Sequence, residues 1–392
     1  MLRFFTAGES HGKGLVVIVE GLPAGLEITK EEIQGELARR RLGYGRGPRM
    51  RFEQDELTLI AGIRHGRTLG SPVALEIGNT EWPKWEQEMS PDPGRSEKIL
   101  TQPRPGHAEL VGMQKYGFDD ARDILERASA RETVARTAAG CLAKALLAKL
   151  GVAVISHVIQ LGGISVGDSP RPGPDDLEKI DESKVRVFDP NIENAMVEEI
   201  KAAAKAGDSL GGAAEVLVFG TPIGLGSHVH WDRKLDGLLA QGLMSIQAIK
   251  AVSIGEGHVV SGLRGSEAHD SIRWDQETKT YVRDTLRAGG IEGGMSTGGL
   301  ISVTAWMKPL STLNRPVIKT VDVVTKEETV SFKERTDVTA VPAMGVVAEA
   351  MVALVLATEA VRKFGGDSVA EMVRNYESFN AHIHETPSAS KG

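Results

Sequence analysis

The sequence predicts a mixed α and β protein in which central helices lie between β-sheets. Short β-rich runs alternate with helical stretches along the chain. Two of the helical stretches, "ETVARTAAGCLAKALLAKLG" (132–151) and "VPAMGVVAEAMVALVLATEAVRKFGG" (341–366), carry small or apolar side chains around most of their circumference. A helix lying on one side of a sheet needs only one apolar stripe, so these two require cover on both sides. A faint internal repetition is the third observation.

"LRFFT" (2–6) and "LVVIVE" (15–20) read as strands. A G-x-P-x-G-L turn follows, then a helix opening on the capping box Thr29-x-x-Glu32 and ending in Arg39, Arg40 and Arg41 at the favourable end of the macrodipole. These helix-end arginines read as a solvated basic turn. "LTLIAGI" (57–63) and "VALEI" (73–77) continue the β pattern. The polar, proline-bearing stretch 81–102 reads as a mobile loop: a lid, a surface excursion or a subunit contact. In "ERASARET" (126–133), Ser129 and Glu132 have capping-box spacing and would open the first buried helix. "VAVISHVI" (152–159) and "AEVLVFG" (214–220) are further strands. The second leads into "GTPIGLG" and a helical stretch at 232–247, echoing residues 17–40. "LERASARETVARTAAG" (125–140) and "KERTDVTAVPAMGVVAEAM" (333–351) echo one another too. Two echoes in one order predict a duplicated half, with the two Glu-Arg segments facing across a pseudo-twofold axis. No Gly/Ser- or Pro-rich linker divides the chain, so one domain over 1–392 is expected.

With 392 residues, 41% apolar and 25% charged, the composition is that of a globular protein with a large core. A net charge of -7 argues against nucleic acid or an anionic membrane as partner, so any anion must meet a local basic site. The single cysteine, Cys141, excludes an internal disulfide and fits a reducing compartment. The opening "MLRFFTAGES" lacks a signal-peptide pattern, and no span of membrane length is free of charge; a cytoplasmic location is expected.

Arg46 and Arg49 stand in the glycine-rich "GYGRGPRMR", where backbone approaches closely and a guanidinium fork matches a carboxylate or phosphate. Arg127 and Arg131 flank the start of the buried helix, a second anion signal. In "RPGHAE" (104–109), Pro105 and Gly106 either fix His107 on stiff backbone or simply make a tight turn. "AGGIEGGMSTGG" (288–299), with six glycines in twelve residues, fits neither nucleotide-binding fingerprint and reads as a wrap for a flat ring or as a flexible turn. "GESHG" (8–12) matches the nucleophile-elbow pattern, with His382 and His384 in triad order, but too few residues precede Ser10 for an elbow on a central strand. Ser10 and His11 read instead as polar pocket residues. "HVH" (228–230) and "HIH" (382–384) lack accompanying ligands, and no metal is expected.

Taken together, "GESHG", "RRRLGYGRGPRM", "RPGHAE", "ERASARET", "DSLGG" (208–212), "LMSIQAIKAV" (243–252), "GGMSTGG" and "RTDVTAVPA" (335–343) resemble the chorismate synthase family, in its order and over nearly the whole chain. The resemblance implies an α+β fold: a β-α-β sandwich with buried central helices between antiparallel sheets. It implies a homotetramer converting 5-enolpyruvylshikimate 3-phosphate to chorismate and phosphate by 1,4-anti elimination, with reduced FMN and no net redox change. Whether NADPH reduces the flavin on the chain itself is left open. Carried over by position, His11 and His107 are the catalytic histidines, and Asp337 is a carboxylate near the flavin. Ser10, Arg40, Arg46, Arg49 and Arg131 are substrate contacts, Arg40 and Arg46 also matching NADP positions. Arg127, Ala128, Ser129, Gln247, Ala248, Gly293, Lys308, Pro309, Leu310, Ser311, Thr312 and Arg335 match flavin-contacting segments. Gln247 stands where the family often has Asn.

Overall fold

The computed structural model describes residues 1–47, 55–332 and 337–383. Strands β1 (Arg3–Gly8) and β2 (Gly14–Glu20) form a hairpin, followed by helix α1 (Lys30–Arg41) and strands β3 (Glu56–Ala61) and β4 (Val73–Gly78). Helices α2 (Glu109–Tyr116) and α3 (Arg122–Ala128) pack on one another and lead into α4 (Thr133–Ala148). Next come β5 (Ala153–Leu161), the short β6 (Ile164–Ser165), α5 (Pro190–Ala206), β7 (Gly212–Phe219), α6 (Leu235–Met244), β8 (Ile249–Ile254) and β9 (Ile301–Met307). The described chain closes with α7 (Val341–Phe364) and α8 (Val369–His382).

All strand pairings in the two large sheets are antiparallel. The first sheet runs β1-β2-β4-β3; the second runs β8-β9-β7-β5-β6. Read from β5, the second repeats the first: its leading strands pair as a neighbour couple, a helix intervenes, and the last strand inserts beside the second. Each half then feeds a long apolar helix, α4 or α7.

The reason for that composition is in the packing. α4 and α7 lie against each other, α4 touching the first sheet and α7 the second. The helices meet so closely that a Cβ on Gly140 would stand 2.3 Å from the Cβ of Ala350. Inward residues of the sheets, such as Leu15, Val17, Leu75 and Ile77 in the first and Val216, Val218, Ile301 and Val303 in the second, are completely buried. Each such side chain contributes about 1.5–3 kcal/mol. By length and composition α7 could cross a membrane, yet most of it is buried inside the molecule.

An ion network crosses this layer. Glu349 of α7, fully buried, accepts from Arg39 Nη1 (2.8 Å) and Nη2 (3.0 Å), Arg186 Nη2 (3.0 Å), Ser156 Oγ (2.7 Å) and Lys144 Nζ (2.5 Å). α1 does carry the expected capping box, Thr29 with Glu32. Its terminal arginines are not the solvated turn the sequence suggested, because Arg39 enters this network and Arg40 is 5% exposed. The second capping box is also corrected. Ser129 accepts from the Arg131 amide and caps a 3-10 turn, Ala130–Glu132, whereas the Glu132 carboxylate is taken by Thr6, Arg136 and Gln247.

Burial alone would raise the Glu349 carboxyl, but the charges of Arg39, Lys144 and Arg186 outweigh it and hold the group well below its ordinary value of 4.5. A depressed native pKa gives stability that is present above that ordinary value and lost as pH falls through the native one. Glu349→Gln removes the carboxylate shared by Arg39, Arg186 and Lys144 and leaves them only Glu36 and Asp181; it should cost about 3–5 kcal/mol in urea unfolding at neutral pH. The variant should also lose less further stability than the parent when acidified.

Candidate active site

His11 sits in the β1–β2 connection, its side chain 12% exposed. Its Nδ1 lies 3.0 Å from both carboxylate oxygens of Glu126, and its backbone N–H donates to Glu126 Oε2 at 2.8 Å. An ionised carboxylate only accepts, so Nδ1 carries the hydrogen and Nε2 points away from it. Glu126, on α3, also accepts from Arg122 Nη1 at 2.9 Å. Burial works to raise its carboxyl, but the His11 bonds and the neighbouring Arg122 charge keep it below the usual carboxylate range.

His107 is built the same way. Its Nδ1 is 3.2 Å from Glu109 Oε1, a charge contact off the hydrogen-bonding direction. Glu109 opens α2, is completely buried, and accepts from Arg104 Nε at 2.8 Å. Burial works to raise its carboxyl too, but the nearby His107 and the bonds and charge of Arg104 hold it below the usual carboxylate range. Arg104 reaches on to Thr312 Oγ1 at 2.8 Å. Gly106 has φ +78°, and a Cβ there would press on Lys308 Nζ at 3.0 Å; that amine donates to the Gly106 carbonyl. The "RPGHAE" turn is thus clamped from outside at the Gly106 carbonyl. Each imidazole faces a buried glutamate on one of two packed helices, α2 and α3.

The basic residues gather beside α4. Arg40 donates from Nε to Thr133 Oγ1 and from Nη2 to the Ala130 carbonyl, both at 3.0 Å. Its Nη1 is buried with no hydrogen-bond partner among the described residues. Burial, with Arg46 close by, pushes its pKa down to about 9. Arg46 Nε lies 3.2 Å from Asp337 Oδ2, and the Gly47 amide donates to Asp337 Oδ1 at 2.6 Å. Arg131 donates to Asn79 Oδ1 at 3.0 Å and pairs with Asp55. Ser129 Oγ and Ser10 Oγ are 3.3 Å apart.

A chain of bonds ties most of the remaining sequence-predicted residues together. Arg127 donates to Thr6 Oγ1 (2.7 Å), Thr6 to Glu132 (2.7 Å), and Gln247 Nε2 to Glu132 (3.3 Å). Ala248, in the left-handed region at φ +67°, accepts from the Lys308 amide at 3.0 Å, and Lys308 leads back to the His107 turn. Ala128 lies at the end of α3, beside Ser129. Leu310 accepts from Ser209 Oγ at 2.8 Å, holding Pro309, Leu310, Ser311 and Thr312 near the "DSLGG" loop. Gly293 is not joined to this network: its turn bonds instead to the start of α6, where Leu235 N–H meets the Gly294 carbonyl at 2.9 Å. Arg49 and Arg335 lie outside the described residues, as does His384.

Orphaned buried atoms make the region a receptor for polar ligand groups. Besides Arg40 Nη1, Gln247 Oε1 is buried without a hydrogen-bond partner among the described residues. Two surface hollows, of about 630 and 290 Å³, are lined by residues from 170–193 and 260–292 and contain none of these side chains.

The elbow pattern does not make a triad. Ser10 lies in a hairpin connection rather than a strand-to-helix turn, and His382 is exposed on α8 with Nδ1 2.7 Å from its own helix's Ser378 carbonyl. His230 contacts Asp232 at 2.7 Å on the surface, and no group of three potential metal ligands occurs among the described residues. Sequence reasoning missed Glu109, Glu126, Asn79 and Asp55, the groups that fix the named ones. It also left the 81–102 stretch undecided, and there Trp85 stacks on His11 with ring centroids 4.2 Å apart.

Three comparisons bear on this arrangement. A family model described as "Chorismate synthase" matches residues 2–361. The chain is 56% identical to the chorismate synthase of Micrococcus luteus, over 99% of this chain and 96% of that one. It is 57% identical to that of Thermobifida fusca, over 97% and 98% respectively. A solved structure titled "Crystal Structure of Chorismate Synthase" superposes with a TM-score of 0.79 at 38% identity, covering 98% of this chain and 99% of its own. With matches of that extent, the chain belongs to the chorismate synthase family of phosphate-releasing carbon–oxygen lyases.

Proposed function

We propose that the chain converts 5-enolpyruvylshikimate 3-phosphate to chorismate and phosphate by 1,4-anti elimination, with reduced FMN bound beside the substrate. The observation that carries this reading is the pairing of two glutamate-held histidines with a buried, under-bonded arginine. The hydrogen lost in this reaction is weakly acidic, so a side-chain base alone is a weak explanation. When bound, the reduced flavin supplies electron density to the allylic system as phosphate leaves. Arg127, Ala128, Ser129, Gln247, Ala248, Lys308 to Thr312, Gly293 and Arg335 would hold it. The orphaned Gln247 oxygen and the left-handed Ala248 fit such a ligand.

The chain's own groups divide the remaining work. Arg40 and Arg46, with Arg49, hold the substrate's charges and stabilise phosphate as it departs. Ser10 and Arg131 line the same end. His11 gives a proton from Nε2 to the leaving phosphate; His107 manages the proton on the cofactor side, and Asp337 relays it. The reading extends to a β-α-β sandwich with a pseudo-twofold repeat, supported by the repeated strand order. It extends also to a cytoplasmic homotetramer; exposed Phe5, Ile18 and Ile60 on the outer face of the first sheet support the self-association.

In an anaerobic assay with chemically reduced FMN and substrate, the parent should form chorismate. His11→Ala and His107→Ala should each lose about 10²–10⁴-fold in turnover. A His107→Ala protein that binds FMN normally and turns over fully would remove that assignment. Repeating the assay with oxidised FMN and NADPH reads whether the chain reduces its own flavin.

Arg40→Gln should weaken substrate binding by roughly 10- to 100-fold, the loss of a charge-assisted hydrogen bond in a buried site. The protonated guanidinium is the form that binds an anion, so parent affinity should decline as pH rises past about 9. Titration calorimetry from neutral to alkaline pH checks both.

A further inference from the structure

We propose that Trp85 is a positioning residue for His11, closing with Glu126 a clasp that fixes the imidazole from its face and from its Nδ1 edge. The proposal rests on the reading of His11 as a proton donor and assigns how its ring is held. The imidazole and the Trp85 indole stack at 4.2 Å with 30° between their planes. The Arg122 guanidinium lies 4.8 Å from the centroid of the same indole and donates to the carboxylate that holds His11. Glu88, on the same segment as Trp85, is 4.0 Å from Arg122. Trp85, Arg122, Glu126 and His11 therefore form a closed ring of contacts drawn from three separate parts of the chain.

The chemistry of this ring is directional. With Nδ1–H taken by Glu126, rotation about the Cβ–Cγ bond would break that bond, and the indole blocks the tilt that remains. The two contacts act on different parts of the ring, Glu126 at its Nδ1 edge and the indole on its face, so between them they leave it one orientation. Trp85 comes from the four-residue helix Trp82–Trp85, so 81–102 is neither an idle excursion nor only an outer cover: it supplies one wall of the histidine's seat.

The test uses the full-length protein with ¹³C-labelled histidine, the His11 ring resonance being identified by its loss in His11→Gln. In Trp85→Ala the resonance should move, through lost ring current. Turnover should drop on the order of tenfold in kcat with KM little changed, the cost of a slightly misplaced group. Trp85→Phe, which keeps an aromatic face, should restore most of both. An unmoved His11 resonance and unchanged kcat in Trp85→Ala would overturn the proposal, as would a loss that Trp85→Phe does not rescue. If His11→Gln retains full turnover while Trp85→Ala still displaces the resonance, the clasp stands and the proton-donor reading of His11 fails.

Discussion

One buried carboxylate organises this molecule. Glu349 sits where the second sheet's helix meets the first half of the chain, and its charge is tolerable there only because Arg39, Arg186 and Lys144 converge on it. Arg39 must therefore turn inward from the end of α1. Consecutive residues on a helix point about 100° apart, so the requirement on Arg39 fixes its neighbours too. Arg40 is delivered to Thr133 and the Ala130 carbonyl at the start of α4, and Arg41 lies 3.8 Å from Asp55, the partner of Arg131. A core interaction thus decides where the anion-binding groups stand.

The two histidines show the same economy. Neither occurs in a strand or helix of its own; both lie in connections, His11 bonded to Glu126 of α3 and His107 set 3.2 Å from Glu109 at the start of α2. Because α2 and α3 pack together, the two carboxylates, and through them the two rings, are held in one frame.

Much of this was legible from the residues. The strands at 2–6, 15–20, 57–63, 73–77, 152–159 and 214–220 and both buried helices emerge close to their expected positions, because their apolar periods are strong. β8 and β9 escaped notice: "IKAVSI" is interrupted by Lys250 and Ser253, and "ISVTAWM" carries Ser302 and Thr304 toward a second buried, polar surface with Glu215 and His157. At the site, motifs announced His11, His107 and the arginines, whereas their supporting partners have no local signature. Asp55 meets Arg131 from 76 positions away, and Asn79 meets it from 52. Trp85 lay in a stretch whose prolines and charges read as solvent-exposed loop. Such partners are chosen by topology, which pairwise spacing does not encode.

The repeated strand order has a consequence for biosynthesis. Each large sheet is assembled from its own contiguous stretch, residues 3–78 and 153–307, so each can pair its strands while the ribosome is still working. Helix α7, which carries Glu349 and covers the apolar flank of α4, follows both sheets in chain order and so emerges after them. Until it docks, the nascent chain exposes a greasy seam along α4, making that interval the moment of greatest demand for chaperone protection.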